Sequence, residues 1–388
     1  MFRCLVVSSV CLAYAREACE QNGSCNIQEP VSMLQAASKM KANCTGSKCG
    51  RGHPAWMGPI SVLQSDEGVV PEFQVQEDGT WNTYFLPGAS ITDKRAVTYG
   101  INDKYYLMKY NTADYSKADN FKMIQLNGKT LITEVNLNGA GCGCNVNFFM
   151  VSMPAASPGQ YGDYYCDGNC VGGNCCPEFD TNEMNTNALQ VTNHNCWNPW
   201  SKNTCDGNGD PEMKFYPGEY GPGGNNAIDT NKPFFFSVQV REVIVGDGSP
   251  DNHLIVETRA WQGDKVVAKS MGGVNNPMNG MWGNFANGMV LVIDYWQSQD
   301  LTWLDGSACH APEYCSGNKA TLSNMQLISN DNPQLSASCP SSEGSDCSWA
   351  HQGNGACNND DASEGWCRCC CTETALVPRC LWSGYSAF

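Results

Sequence analysis

Six consecutive residues, Glu178-Phe179-Asp180-Thr181-Asn182-Glu183, carry three carboxylates in a spacing that suits acid–base chemistry. On a strand, Glu178 and Asp180 are two apart and share a face. Glu183 lies five beyond Glu178, an odd offset that turns it to the opposite face unless one extra residue, a β-bulge, restores it. Three carboxylates on one face cannot all ionise cheaply, so one is expected to stay protonated beside an ionised neighbour. An ionised nucleophile with a protonated acid is the pair that retaining glycoside hydrolysis requires. Four or five strand steps span roughly 13 to 17 Å, whereas such a pair stands about 5 to 5.5 Å apart. The strand must therefore be concave, with its side chains leaning inward. The pattern alone arises about 0.4 times by chance in a chain this acidic, and the plainer alternative is a solvated strand edge.

The elements that must position these acids are strands. Lys104–Tyr110, Thr130–Leu137, Asn145–Met153, Pro233–Val243, Leu254–Trp261, Met289–Trp296 and Ala320–Ile328 are rich in aromatic and β-branched residues. Glycine, proline and asparagine clusters such as Gly221-Pro222-Gly223-Gly224 separate them, and amphipathic helices are nearly absent. Many strands joined by long loops predict an all-β fold, an antiparallel sandwich.

Composition narrows the class. Of 388 residues, 24 are cysteine, and the formal net charge is −16. An excess of acids leaves no electrostatic footprint for nucleic acid, and 41% hydrophobic residues argue against disorder. The cysteines point to an oxidising compartment. At the N-terminus, Arg3, the apolar run Cys4–Leu12 and Ala13-Tyr14-Ala15 read as a signal peptide over residues 1–15, so a secreted, extracellular protein is expected. A buried first strand is the competing reading. Cleavage there would remove Cys4 and Cys11 and leave an even number for pairing. Asn22-Gly23-Ser24 and Asn43-Cys44-Thr45 are glycosylation sequons. No segment reaches the roughly 18 apolar residues of a membrane span. Residues 331–388 form a separate Cys-rich tail with eight cysteines from Cys339 to Cys380, where strand patterning stops, read as a small disulfide-stapled appendage in preference to a zinc site. Asp206-Gly207-Asn208-Gly209-Asp210 begins like a calcium loop, but Pro211 and Pro217 occupy the required glycine and glutamate positions, so a polar turn is expected. No metal and no cofactor are called for.

The run Gly173-Asn174-Cys175-Cys176-Pro177-Glu178-Phe179-Asp180-Thr181-Asn182-Glu183-Met184-Asn185, followed by Thr192-Asn193-His194-Asn195-Cys196, resembles the active-site stretch of glycoside hydrolase family 7, the cellobiohydrolases and endoglucanases. Tyr165-Cys166-Asp167-Gly168-Asn169-Cys170, Tyr220-Gly221-Pro222-Gly223, Asp229–Phe234, Gly288–Val292 and Trp303-Leu304-Asp305 are similar to further family motifs in the same order. The resemblance covers roughly residues 95–330, with 16–94 a divergent part of the same catalytic domain.

The resemblance implies a concanavalin-like β-jelly-roll sandwich whose concave face binds a β-glucan polysaccharide, cellulose, in a monomer. It implies Glu178 as nucleophile, Glu183 as general acid/base, and Asp180 as the residue that tunes Glu178. It places His194 near the acid/base, although a lone histidine on a strand is more often structural. Trp296 and Trp303 would be sugar platforms, with core packing as the alternative. Asn145 and Asp167 would be hydroxyl ligands. Four departures stand out. Thr181-Asn182 replaces Ile-Trp, Phe149 a tyrosine and Lys104 an arginine, and Cys309-His310-Ala311-Pro312-Glu313 stands where processive members carry an arginine-bearing segment. The lack of that segment, together with the short stretch from Val240 to Gly288, favours an open cleft and endo action, whereas Thr181-Asn182 and the unusual tail motivate a rival with a silent or crippled site. The rival expectation is a non-catalytic carbohydrate-binding or cell-wall protein on the same fold, and a third is the same chemistry on xylan or another β-glucan.

Overall fold

The computed structural model describes residues 70–196, 205–298, 301–306, 315, 317–332, 368–370 and 379–381. The signal peptide, the sequons and most of the Cys-rich tail lie outside the described residues. Two large sheets dominate. In the nine-stranded sheet the order is Lys265–Gly272, His253–Gln262, Phe234–Val243, Lys129–Asn136, Lys319–Ser329, Glu72–Glu77 and Thr80–Phe85, with Ser90–Asp93 and Ala96–Gly100 attached beside Lys319–Ser329. The seven-stranded sheet runs Glu212–Phe215, Leu189–His194, Glu178–Met184, Cys144–Val151, Met289–Gln297 and Asp103–Tyr106, with Met123–Ile124 attached to Met289–Gln297. The strands expected from sequence appear within a few residues of their predicted limits.

Period-two alternation sorts the side chains of the second sheet. On Cys144–Val151, Val146, Phe148 and Met150 enter the core between the sheets, where the Phe148 ring meets Phe236 edge to face. Leu291, Ile293 and Tyr295 of Met289–Gln297 do the same. That leaves Asn145, Asn147 and Phe149 on the outer face, beside Val290, Val292, Asp294 and Trp296. On Glu178–Met184 the core residues are Phe179 and Met184, five apart, so this strand breaks the alternation internally. A disulfide between Cys144 and Cys315 joins this sheet to the chain entering the last long strand.

In the tail, where strand patterning stops, Arg368–Cys370 and Arg379–Leu381 pair antiparallel, with Cys369 opposite Cys380. A three-residue ladder rests on main-chain hydrogen bonds and needs no alternating apolar pattern, so composition gave no sign of it.

Candidate active site

The irregularity in Glu178–Met184 is a β-bulge. Against Cys144–Val151, Met150 faces Phe179 and Phe148 faces Asn182, so two steps oppose three. Against Leu189–His194, Thr192 faces Asp180 and Gln190 faces Glu183, again two against three. The extra residue returns Glu183 to the face that carries Glu178 and Asp180, as the odd spacing required. All three acids are buried.

Glu178 is held by backbone. The loop before it is closed by two disulfides, Cys166–Cys176 and Cys170–Cys175, and the amide of Gly168 donates to Glu178 Oε2 at 2.9 Å. Cys175 and Cys176 bond to two different partners, Cys170 and Cys166, both in the one preceding turn, because Glu178 is the first strand residue and the two cysteines still lie in the loop. A Cβ on Gly168 would sit 2.5 Å from His194 Cβ, so only glycine allows this approach.

His194 bridges two oxygens. Its Nδ1 lies 2.6 Å from the Asp206 carbonyl and its Nε2 lies 3.0 Å from Asp180 Oδ2. Burial alone would lower its pKa, but the hydrogen bond to Asp180 and the charges of Asp180 and Glu178 prevail and raise it to about 10. It is therefore an imidazolium donating to both oxygens. In the ladder it stands opposite Glu178, so its direct partners are at the nucleophile end, where the resemblance had set it near the acid/base. The Asp206 turn, whose side chain accepts from the amides of Asn208 and Gly209, is the polar turn expected, and it serves to anchor His194. Ligand atoms of Glu178, Asp180 and His194 lie within 4.8 Å of one another, close enough to hold a cation. The imidazolium already occupies that position by neutralising the acids.

Glu183 is held by side chains. Asn145 Nδ2 donates to its Oε1 at 3.1 Å and the Thr192 hydroxyl to its Oε2 at 3.4 Å. Burial pushes the Glu183 carboxyl well above its usual range, and the charge of Asp180 pushes it further. Glu178 is raised by burial, then by Asp180 and Asp167, while His194 and the Gly168 amide pull it back. Asp167 is buried and pushed up to about 6, chiefly by burial. Its carboxylate accepts from the Val171 amide at 2.8 Å, so it also braces the disulfide loop. Trp296 is partly buried at the end of its strand, opposite Asn145. Trp303 is 40% exposed, which removes core packing as its explanation. It rides on the short helix Thr302–Asp305, which Asp305 ties to Gly143 and Asn185.

Several site residues escaped the sequence reading. Asp294 faces Asn147 on one side and Lys104 on the other, and Asn147 in turn faces Glu183, so a polar row crosses four strands. Burial lifts Asp294 to about 7 against the pull of Lys104. The alternation Asp294-Tyr295-Trp296 contained the signal, since Asp294 shares a face with Trp296. Thr192 and Gly168 carried no signal of their own.

No family model matches the chain. Among curated proteins it is 30% identical over 253 residues to Endoglucanase EG-1 of Hypocrea jecorina, covering 55% of this chain and 52% of that protein. It is 24% identical over 293 residues to Endoglucanase 1 of Pyricularia oryzae, covering 61% of this chain and 67% of that protein. The chain thus spans about half the length of the first of these relatives. Among solved structures, an endoglucanase I complexed with cellobiose superposes with a TM-score of 0.54 at 17% identity, over 68% of this chain and 97% of that one. A GH7 family cellobiohydrolase from Daphnia pulex gives 0.54 at 15% identity, over 69% and 98%. The fold is the β-jelly-roll of those enzymes. In sequence the chain is similar to endoglucanases, and in fold to an endoglucanase and to a GH7 family cellobiohydrolase.

Proposed function

We propose that the chain is a retaining glycoside hydrolase that cuts β-1,4-glucan internally. Glu178 serves as nucleophile, Glu183 as general acid/base and Asp180, locked to His194, as the group that tunes Glu178. The observation that carries this reading is the bulge, which gathers three buried acids on one face in two different electrostatic settings. Burial raises both carboxyls, but Glu178 is pulled back by the charge of His194 and by the Gly168 amide, which can only donate and so favour its ionised form. Glu183 meets a neutral asparagine amide and a hydroxyl while burial holds its carboxyl well above the usual range, the direction a proton donor needs.

In the first step Glu178 attacks the anomeric carbon while Glu183 gives its proton to the departing oxygen, leaving a glycosyl ester. Glu183, now ionised, takes a proton from water, whose oxygen displaces Glu178 and restores both groups. Asn145 and Asp167 accept or donate to sugar hydroxyls, and exposed Trp303, with Trp296, offers a flat face to pyranose rings. The endoglucanase names of the curated relatives support the endo reading. All three acids come from one chain, so a monomer suffices. Four described disulfides fit an exported protein.

The test is reducing-end release from a soluble cellulose derivative, with E178Q as control. Rapid viscosity loss from the unmodified chain and none from the variant is the expected result. Equal, negligible release from both would replace hydrolysis with carbohydrate binding, and cellobiose release without viscosity loss would replace endo with exo action.

A further inference from the structure

The bulge leaves a gap in the hydrogen-bond ladder, and two side chains fill it. Phe149 faces the Asp180–Thr181 step on one side and Val191 faces Thr181–Asn182 on the other, so Thr181 lacks a register partner in both neighbours. Its hydroxyl donates instead to the Phe148 carbonyl. The Asn182 amide makes two bonds to the same strand: Nδ2 donates to the Val146 carbonyl and Oδ1 accepts from the Phe148 amide, both at 3.3 Å. Both side chains are fully buried. Val146 lies between Asn145, which holds Glu183, and Asn147, which faces Glu183 in the ladder.

Apolar residues at 181 and 182 could pack here but would remove the three side-chain bonds to the buried main-chain groups of Phe148 and Val146. We propose that Thr181 and Asn182 are positioning residues for Glu183, clamping the bulge to the neighbouring strand so that the acid meets Asn145. This rests on the reading of Glu183 as acid/base. It also turns the Thr181-Asn182 departure from a sign of lost activity into a working part of this site.

Two variants test it, Asn182→Leu and, as the milder change if the first does not fold, Thr181→Val. Turnover is measured on a dinitrophenyl cellobioside, whose leaving group departs without a proton, and on a cello-oligosaccharide, whose leaving group needs one. A displaced general acid should slow the second substrate by about 10- to 100-fold and the first by less than about 3-fold, within the range that general acids contribute. Carbon-13 titration of the glutamate carboxyls, assigned with E183Q, should show the Glu183 midpoint moving and that of Glu178 staying. Equal losses on both substrates, or an unmoved Glu183 midpoint, overturn the proposal. If the unmodified chain turns over neither substrate, the hydrolytic reading fails by itself, and the titration alone then decides whether the clamp sets Glu183.

Discussion

The two ends of the Glu178–Met184 strand are built by opposite means. Around Glu178 the restraints are covalent or main-chain: two short disulfide loops, the Gly168 amide and a glycine contact that admits no Cβ. Around Glu183 they are side-chain hydrogen bonds from Asn145, Thr192, Thr181 and Asn182. A nucleophile has one position and one charge to keep until it attacks, and a backbone amide in a cross-linked loop supplies both without reorganisation. An acid/base must exchange a proton in each step, and its hydroxyl partner, Thr192, can donate to the carboxylate or accept from the acid. Rigidity is concentrated where charge is fixed, and adaptable contacts where charge alternates.

Substitution can break this contrast in steps of decreasing size. E178Q should lower kcat on every glycan by about 10⁴-fold or more, since no second group can form the ester. E183Q should cost about 10²- to 10⁴-fold on unactivated substrates, and much less where the leaving group needs no proton. That leaving-group dependence is the measurement that separates the ends. Replacing Cys166 and Cys176 together by alanine should reduce stability by about 2–4 kcal/mol for a loop of this length, read by chemical unfolding. It should also slow the first chemical step while sparing the Glu183 titration.

A smaller effect is expected from D294N in the polar row beyond Glu183. Asp294 titrates near 7 in the folded protein, above its unfolded value of 3.8. Its contribution to stability is therefore full below about pH 4 and lost as pH rises through about 7. The asparagine variant should make the fall in melting temperature across that window shallower, leaving the part due to Asp167, Glu178 and Glu183. His194, raised to about 10, would still cause a loss near that pH in both proteins, because its contribution is full only below about 6.5. A melting profile of D294N that keeps the same slope from pH 4 to 7 would remove Asp294 as its cause. The mildest change is W303A, which should raise KM by about 2- to 10-fold with little effect on kcat, as expected for an aromatic face worth about 0.5–1.5 kcal/mol.

Much of this was legible in the residues. Aromatic and β-branched runs marked the strands, and the five-residue offset between Glu178 and Glu183 called for the bulge before any coordinate did. What stayed hidden depends on register. Nothing local to Asp294 indicates that Lys104 and Asn147 are its neighbours, since each lies more than a hundred residues away in the chain. Cysteine spacing did not show that Cys175 and Cys176 both close back on a single turn. The resemblance named His194 but carried no sign of its bond to Asp180, which depends on register.

The bond between Cys144 and Cys315 closes a ring of 171 residues' separation that contains every acid named above and both cleft tryptophans. A protease that nicks any exposed loop inside that ring leaves two fragments still joined as one covalent piece. Clipped and intact molecules would migrate alike until a thiol is added, so only a reducing gel would reveal the cut. Damage to a loop need not release the part of the site to which it belongs.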